Sequence, residues 1–296
     1  MWNAPQPGCV PLRPLGVSDI LDGSFRVIRR NPRATLGVSA IIAVLQTAVL
    51  AVFQLALFSR LSSSAHVSGD GSVSLDVSQL ATTGSSAFSA IVLTTVFEAI
   101  LTGMLTLVVT DDVLGRQTGL AEVWNRTRGR VPRLVGLSVL LAFLQLVGLI
   151  LLIAPGIWFW GIWAVAVPAF MVEDLSPRAA LRRSRALVRG TFWRVWGIRA
   201  LGVLLVGVIS GIVAVPFTLV AAVLSGESLG RVAESGGGLP VAYVLITSIG
   251  SILSITFTAP VRAGIDALLY TDLRMRKEGL DLVLRERAVA DAALGR

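Results

Sequence analysis

Charge is scarce in this chain of 296 residues: only 15% are Asp, Glu, Lys or Arg, where soluble domains carry about a quarter. Against 54% hydrophobic residues, that deficit excludes an ordinary water-soluble globular chain. Cysteine and histidine are nearly absent, with one of each, Cys9 and His66. A single cysteine excludes an internal disulfide, and one His beside one Cys excludes the usual His/Cys metal cluster. A His-dependent catalytic triad is left with one candidate, in a Ser/Gly-rich stretch without obvious partners. Lysine is also missing, since Lys277 is the only one of 26 basic residues that is not arginine. The net charge of +8 raises the question of nucleic acid. The arginines, however, sit in short clusters between apolar runs, with no basic domain and no interleaved aromatic platform, so a bilayer is the expected partner.

What the chain does have is long apolar runs. A helix crosses roughly 30 Å of hydrocarbon with about 17 to 25 apolar residues, and six segments meet that length: about 35–59, 87–110, 134–153, 156–172, 197–224 and 240–270. The first is too long, and its basic leader too long, for a cleaved signal peptide. A Pro-rich leader (1–16) precedes a six-helix domain (17–282), and a polar tail (283–296) closes the chain. Within the uncharged run 134–172, Ala154-Pro155-Gly156 reads as a tight turn between spans three and four, with Trp158, Trp160 and Trp163 placed as an aromatic belt. Pro168, Pro216 and Pro260 fall inside spans and predict kinks.

Between the spans lie short basic segments of helical period. Ser18 is placed to cap a first amphipathic helix running to Asn31, and Leu120, Val123 and Trp124 mark a second. The third carries Arg178, Arg182, Arg185 and Arg189 on one stripe and Leu181, Ser184, Leu187 and Val188 opposite, a face suited to a membrane surface or to other helices. Grouping the leader, these segments and the tail on one side leaves only Arg60 and Arg231 on the other. The positive-inside rule then puts both termini in the cytoplasm of a bacterial cell.

Three spans end alike, at Asp112-Val-x-x-Arg116, Asp174-Leu-x-x-Arg178 and Asp272-Leu-x-x-Arg276, and three begin alike, at Leu36-Gly37, Val135-Gly136 and Trp196-Gly197. The shared spacing predicts a threefold internal repeat, each unit a basic amphipathic helix followed by a transmembrane hairpin. Each Asp either caps the helix that follows and pairs with the Arg four residues on, or joins a ring that coordinates a headgroup or a gate. Inside the second span Glu98 is costly unless protonated, paired or wet, at about 2.5 to 3.5 kcal/mol for an unpaired charge. Arg262 lies at a reachable depth for a structural pair; Asp266, one turn from Arg262, competes for it; a proton or cation site is the third option.

Several stretches carry a resemblance: PLRPLGVSDILDGSFRVIRRNP near the start, GLAEVWNRTRGRVPRLVGL, the PGIW turn, VEDLSPRAALRRSRALVRGTFWRVWG, and YTDLRMRKEGLDL (Tyr270 to Leu282). Together they resemble a bacterial, often actinobacterial, family named after the membrane domain of glycerophosphoryl diester phosphodiesterase. The resemblance implies six helices with cytoplasmic amphipathic segments. It does not imply phosphodiesterase chemistry, which in fused relatives belongs to a soluble barrel with acidic and histidine ligands, and it supplies no catalytic residues. The expectation is a non-enzymatic membrane protein without cofactor or metal, engaging anionic lipid or a cytoplasmic partner. Its headgroup candidates are Asp112, Arg116, Asp174, Arg178, Arg182, Arg183, Arg185, Asp272 and Arg276. The alternative is a transporter or channel using Glu98 as an intramembrane proton or cation site, with Glu98, Arg262 and Asp266 as the candidate intramembrane polar site.

Overall fold

The structure, a computed structural model, describes residues 9–11, 13–64, 77–113, 116, 118–151, 153–224 and 241–280, with backbone alone at 54–64, 77–87, 149–151, 153–154 and 241–242. His66, Arg231, the tail 283–296 and the side chains of Arg60 and Gln54 lie outside the described residues. The described residues form ten helices: α1 (Val17–Arg30), α2 (Pro32–Ser64), α3 (Val77–Val113), α4 (Leu120–Arg128), α5 (Val131–Leu151), α6 (Ile153–Ile162), α7 (Ala166–Glu173), α8 (Pro177–Val188), α9 (Phe192–Leu224) and α10 (Val241–Glu278). Six stretches of them are long and apolar enough to cross a membrane: Pro32–Phe53, Phe88–Val113, Val131–Gly148, Pro155–Glu173, Phe192–Leu224 and Tyr243–Glu278. Residues 271–278, beyond the expected end of the sixth span at about 270, continue α10.

The short helices begin and end where local chemistry dictates. Gly16 caps α1, its N–H donating to the Asp19 carboxylate at 2.9 Å; Ser18, the expected cap, is the second helical residue. Helix α8 starts at Pro177, whose missing N–H costs nothing there, behind Ser176, whose Oγ accepts from the Ala179 N–H at 3.4 Å. Asp174 therefore does not cap the start of α8. It sits in the left-handed region (φ 48°) at the end of α7, turning the chain into α8.

The fourth span is two helices. Helix α5 ends at Leu151 and α6 begins at Ile153, so Ala154-Pro155-Gly156, expected as the turn itself, belong to the first turn of α6, where a proline is tolerated. The pair closes tightly because Gly148 has no side chain: a Cβ there would lie 2.7 Å from Phe159 and 3.1 Å from the Gly156 backbone. The helix then breaks at Trp163–Val165. Pro168 explains the break, since it lacks an N–H for the carbonyl of Ala164 and its ring would clash there. All four carbonyls in the last turn of α6 find donors. Phe159 accepts from Trp163 N–H at 3.2 Å and Gly161 from Ala164 N–H at 3.3 Å. Trp160 accepts from the Arg199 guanidinium at 2.7 Å and Ile162 from Ser184 Oγ at 2.9 Å. A broken helix in an apolar setting needs such substitutes. Pro216 and Pro260, by contrast, lie inside the continuous helices α9 and α10.

The largest cluster of buried apolar side chains gathers at one end of the helices. It joins Cys9, Val10 and Leu15 of the leader, Ile20 and Val27 of α1, Val109 and Val113 of α3, Leu187 and Val188 of α8, and Leu268, Leu269 and Leu273 of α10. Helix α1 lays Ile20, Gly23, Ser24 and Val27 against α10, and α8 buries Ala180, Ser184, Leu187 and Val188. These faces therefore rest on neighbouring helices. The other ends of the long helices are less covered: α9 leaves Leu204, Ile212, Val223 and Leu224 at 64 to 79% exposure, an apolar surface that water would penalise and lipid would not.

Candidate functional site

At the end where the core is thickest, three aspartates tie the helices together. Asp112, 1% exposed, accepts from Arg30 Nε at 3.0 Å. Asp174 forms an ion pair with Arg130 at 3.2 Å and lies 3.9 Å from Arg133. Asp272, fully buried, accepts from the Arg194 guanidinium, from Arg276 Nε at 2.9 Å and from the Leu15 N–H at 2.8 Å. The Leu15 carbonyl in turn accepts from Arg194 at 2.7 Å and Arg276 at 2.8 Å, which locks the leader into the same knot. In each case the arginine stands at the entry to the helix that begins a pair (Arg30 before α2, Arg130 before α5, Arg194 in α9) and the aspartate at the exit of the pair. Only Asp272 forms the expected contact with the Arg four residues on; Arg116 and Arg178 are exposed and form no ion pair among the described residues. Cys9, buried beside Asp112, has its thiol pushed well above the ordinary range, first by burial and then by the neighbouring carboxylate.

A second group of charges lies between the long helices. Arg262 of α10 donates to Glu98 of α3 at 3.1 Å, and both side chains are about two-fifths exposed, at 39 and 45%. Asp266 accepts instead from Arg199 of α9, at 3.0 and 3.4 Å, with both members nearly buried at 10 and 14%. Arg199 also stacks over the Trp160 ring at 4.6 Å and holds the Trp160 carbonyl. These four charged residues, with Thr95, Thr102, Gln145, Trp160, Trp163 and Pro168, line a cavity of about 120 Å³ beside the α6–α7 break. The carboxylates and guanidiniums cancel in number. The cavity is polar but neutral, and the freest charges in it are Glu98 and Arg262.

Arg183, grouped by sequence with Arg182 and Arg185, is engaged internally. It donates to Glu173 at 2.8 to 2.9 Å and pairs with Glu278, while Glu173 also accepts from Tyr270 at 2.7 Å. Arg182 and Arg185 stay exposed. Sequence reasoning passed over Arg199, Arg194 and Arg30. Arg199 carried a signal, being a charge seven residues into an apolar helix; the other two were hidden among segment arginines.

The chain thus falls in the class of all-helical proteins with six helices able to cross a membrane. Compared with protein-family models, curated proteins and solved structures, it matches none. Among the described residues no group of His, Cys, Asp and Glu is placed to hold a metal ion.

Proposed function

We propose that this chain is a multi-pass protein of the bacterial cytoplasmic membrane whose basic end, facing the cytoplasm with both termini, engages anionic lipid without enzymatic turnover. One observation carries the reading: the carboxylates at that end are spent and the arginines are not. Among the described residues there, Asp19, Asp111, Asp112, Glu173, Asp174, Asp272 and Glu278 are each bound by an arginine, and only Asp22 and Glu122 form no ion pair. Arg26, Arg29, Arg33, Arg116, Arg128, Arg178, Arg182, Arg185 and Arg189 are exposed and form none. Near an anionic leaflet each is worth about 1 kcal/mol, within a Debye length of the surface.

The same reading takes the three Asp-to-Arg ties as marks of a threefold repeat of basic helix plus hairpin. It also places the chain in the glycerophosphoryl diester phosphodiesterase membrane-domain family, as a member without the catalytic barrel and with a role in envelope or lipid homeostasis. The test is thermal unfolding in nanodiscs. With phosphatidylglycerol discs the midpoint rises above that in phosphatidylcholine discs, and the gain shrinks as salt is added. Equal midpoints in both lipids overturn the reading.

A second reading, transport, is favoured by the polar cavity at the broken helix, because half-exposed Glu98 and Arg262 stand where unwound backbone lines a space. Proton or cation flux into proteoliposomes, lost in Glu98→Gln, supports it; flux no faster than in empty liposomes removes it.

A further inference from the structure

The exposed arginines are not evenly placed. Arg178, Arg182 and Arg185 follow one another at i, i+4 and i+7 along α8, so they share one face, and that face looks onto α6. Together with Leu181, with Trp158, Phe159 and Ile162 of α6 and with Trp163 at the α6–α7 break they line a groove of about 610 Å³. Three cations stand on one wall and aromatic rings on the other. No carboxylate lines the groove, and none of the three arginines has an ion pair among the described residues. The walls are fixed: Ser184, a third of a turn round α8 from the arginines, holds the Ile162 carbonyl at 2.9 Å, Arg183 anchors α8 to Glu173, and Phe159 stacks on Trp163 at 4.7 Å.

We propose that this groove is a binding site for one anionic phospholipid, its phosphate on the three guanidiniums and the start of an acyl chain along Trp158, Phe159 and Ile162. The inference rests on the reading of the basic end as lipid-facing and adds a defined seat to it. Charge complementarity selects the headgroup, because guanidinium forks suit phosphate oxygens and three unpaired ones leave a local excess of positive charge. The aromatic wall selects a lipid over a free anion, since inorganic phosphate would leave Trp158, 44% exposed, and its neighbours uncovered. The setting points the same way. Helix α6 lies in a stretch able to cross a membrane, and basic pockets beside such helices bind lipid headgroups.

The experiment counts phosphatidylglycerol retained per chain after detergent purification, by native mass spectrometry of the full chain. It compares Arg178→Gln/Arg182→Gln/Arg185→Gln with an equal loss of charge elsewhere, Arg26→Gln/Arg29→Gln/Arg33→Gln. The wild type and the second triple are expected to keep one tightly held lipid, and the first triple to lose it, with affinity falling on the order of a hundredfold. A lysine version of the groove triple, which keeps the charge, keeps part of the binding and so controls for misfolding. Equal loss in both glutamine triples overturns the groove and leaves the broader basic-surface reading standing. A retained lipid that excess inorganic phosphate displaces as readily as phosphatidylglycerol does also overturns it. So does a wild type that retains none, while the nanodisc comparison of lipid stabilisation reads the broader proposal separately.

Discussion

A carboxylate with no exposed surface has to find its hydrogen bonds inside the protein, and Asp272 finds them on three separate segments. It holds the leader through the Leu15 N–H, α9 through Arg194 and its own helix through Arg276. The three contacts are unequal. Both arginines also donate to the Leu15 carbonyl, but Arg194 reaches across from α9 and is 28% exposed, whereas Arg276 is 36% exposed and pairs within one turn of the same helix. Replacing the buried carboxylate by an amide leaves two guanidiniums without their counter-charge, so Asp272→Asn should lower the unfolding free energy in detergent by about 3 kcal/mol. Arg276→Gln, which breaks an i, i+4 pair near solvent and one of two donations to the Leu15 carbonyl while Arg194 keeps the other, should cost less, about 1 kcal/mol. Thermal unfolding of the two variants side by side checks this, and equal losses would mean that Asp272 serves its own helix alone. The sequence pattern pointed to Asp112, Asp174 and Asp272 as a set, but only their local partners were readable from spacing. Their partners Arg30, Arg130 and Arg194 lie 44 to 82 residues away, where no period connects them.

At the scale of elements, apolar run length made the long helices legible, because hydrocarbon thickness fixes a minimum that few other structures require. Breaks within them were less legible. Ala154-Pro155-Gly156 satisfies both a turn and the first turn of a helix, and only the packing of Gly148 on Phe159 and Gly156 decides between the two. The break at Trp163–Val165 needed knowledge that Arg199 and Ser184 would hold the freed carbonyls. The docking of α1 on α10 was hidden for a similar reason: it depends on a close approach of backbones. A Cβ at Gly264 would lie 2.8 Å from Ser24 Cβ and 3.1 Å from Ser24 Cα, and backbone cannot yield as a side-chain tip does. Gly264→Leu should therefore push α1 off α10 at a cost of about 1 to 3 kcal/mol. Trypsin should then cut at Arg26, Arg29 or Arg30 in the folded protein many times faster than in the wild type. An unchanged digestion pattern would show that the two helices part without consequence.

The whole molecule is asymmetric along its helices. One end carries the buried core, the aspartate ties and the surplus arginines; toward the other the long helices leave apolar flanks open. The asymmetry argues for a fixed orientation, since guanidiniums are retained on the cytoplasmic side of a bacterial membrane, and it can be tested without engineering away the native thiol. Cys9 is 1% exposed and its thiol is raised in pKa by burial and by Asp112. A thiol whose folded pKa exceeds the unfolded one stays protonated, and its contribution to stability holds below the ordinary thiol range and fades as pH rises above it. The thiolate is the form that reacts, so at neutral pH Cys9 should stay silent toward maleimide until the chain unfolds. Against that background, Glu122→Cys introduces an exposed thiol on α4, at a residue without an ion pair, and Ser72→Cys introduces one in the segment joining α2 to α3. In intact cells a membrane-impermeant maleimide should modify the thiol at 72 and leave that at 122 untouched until the membrane is opened. The reverse pattern would put the surplus arginines outside, away from the cytoplasmic leaflet, and with them the proposed lipid seat on α8.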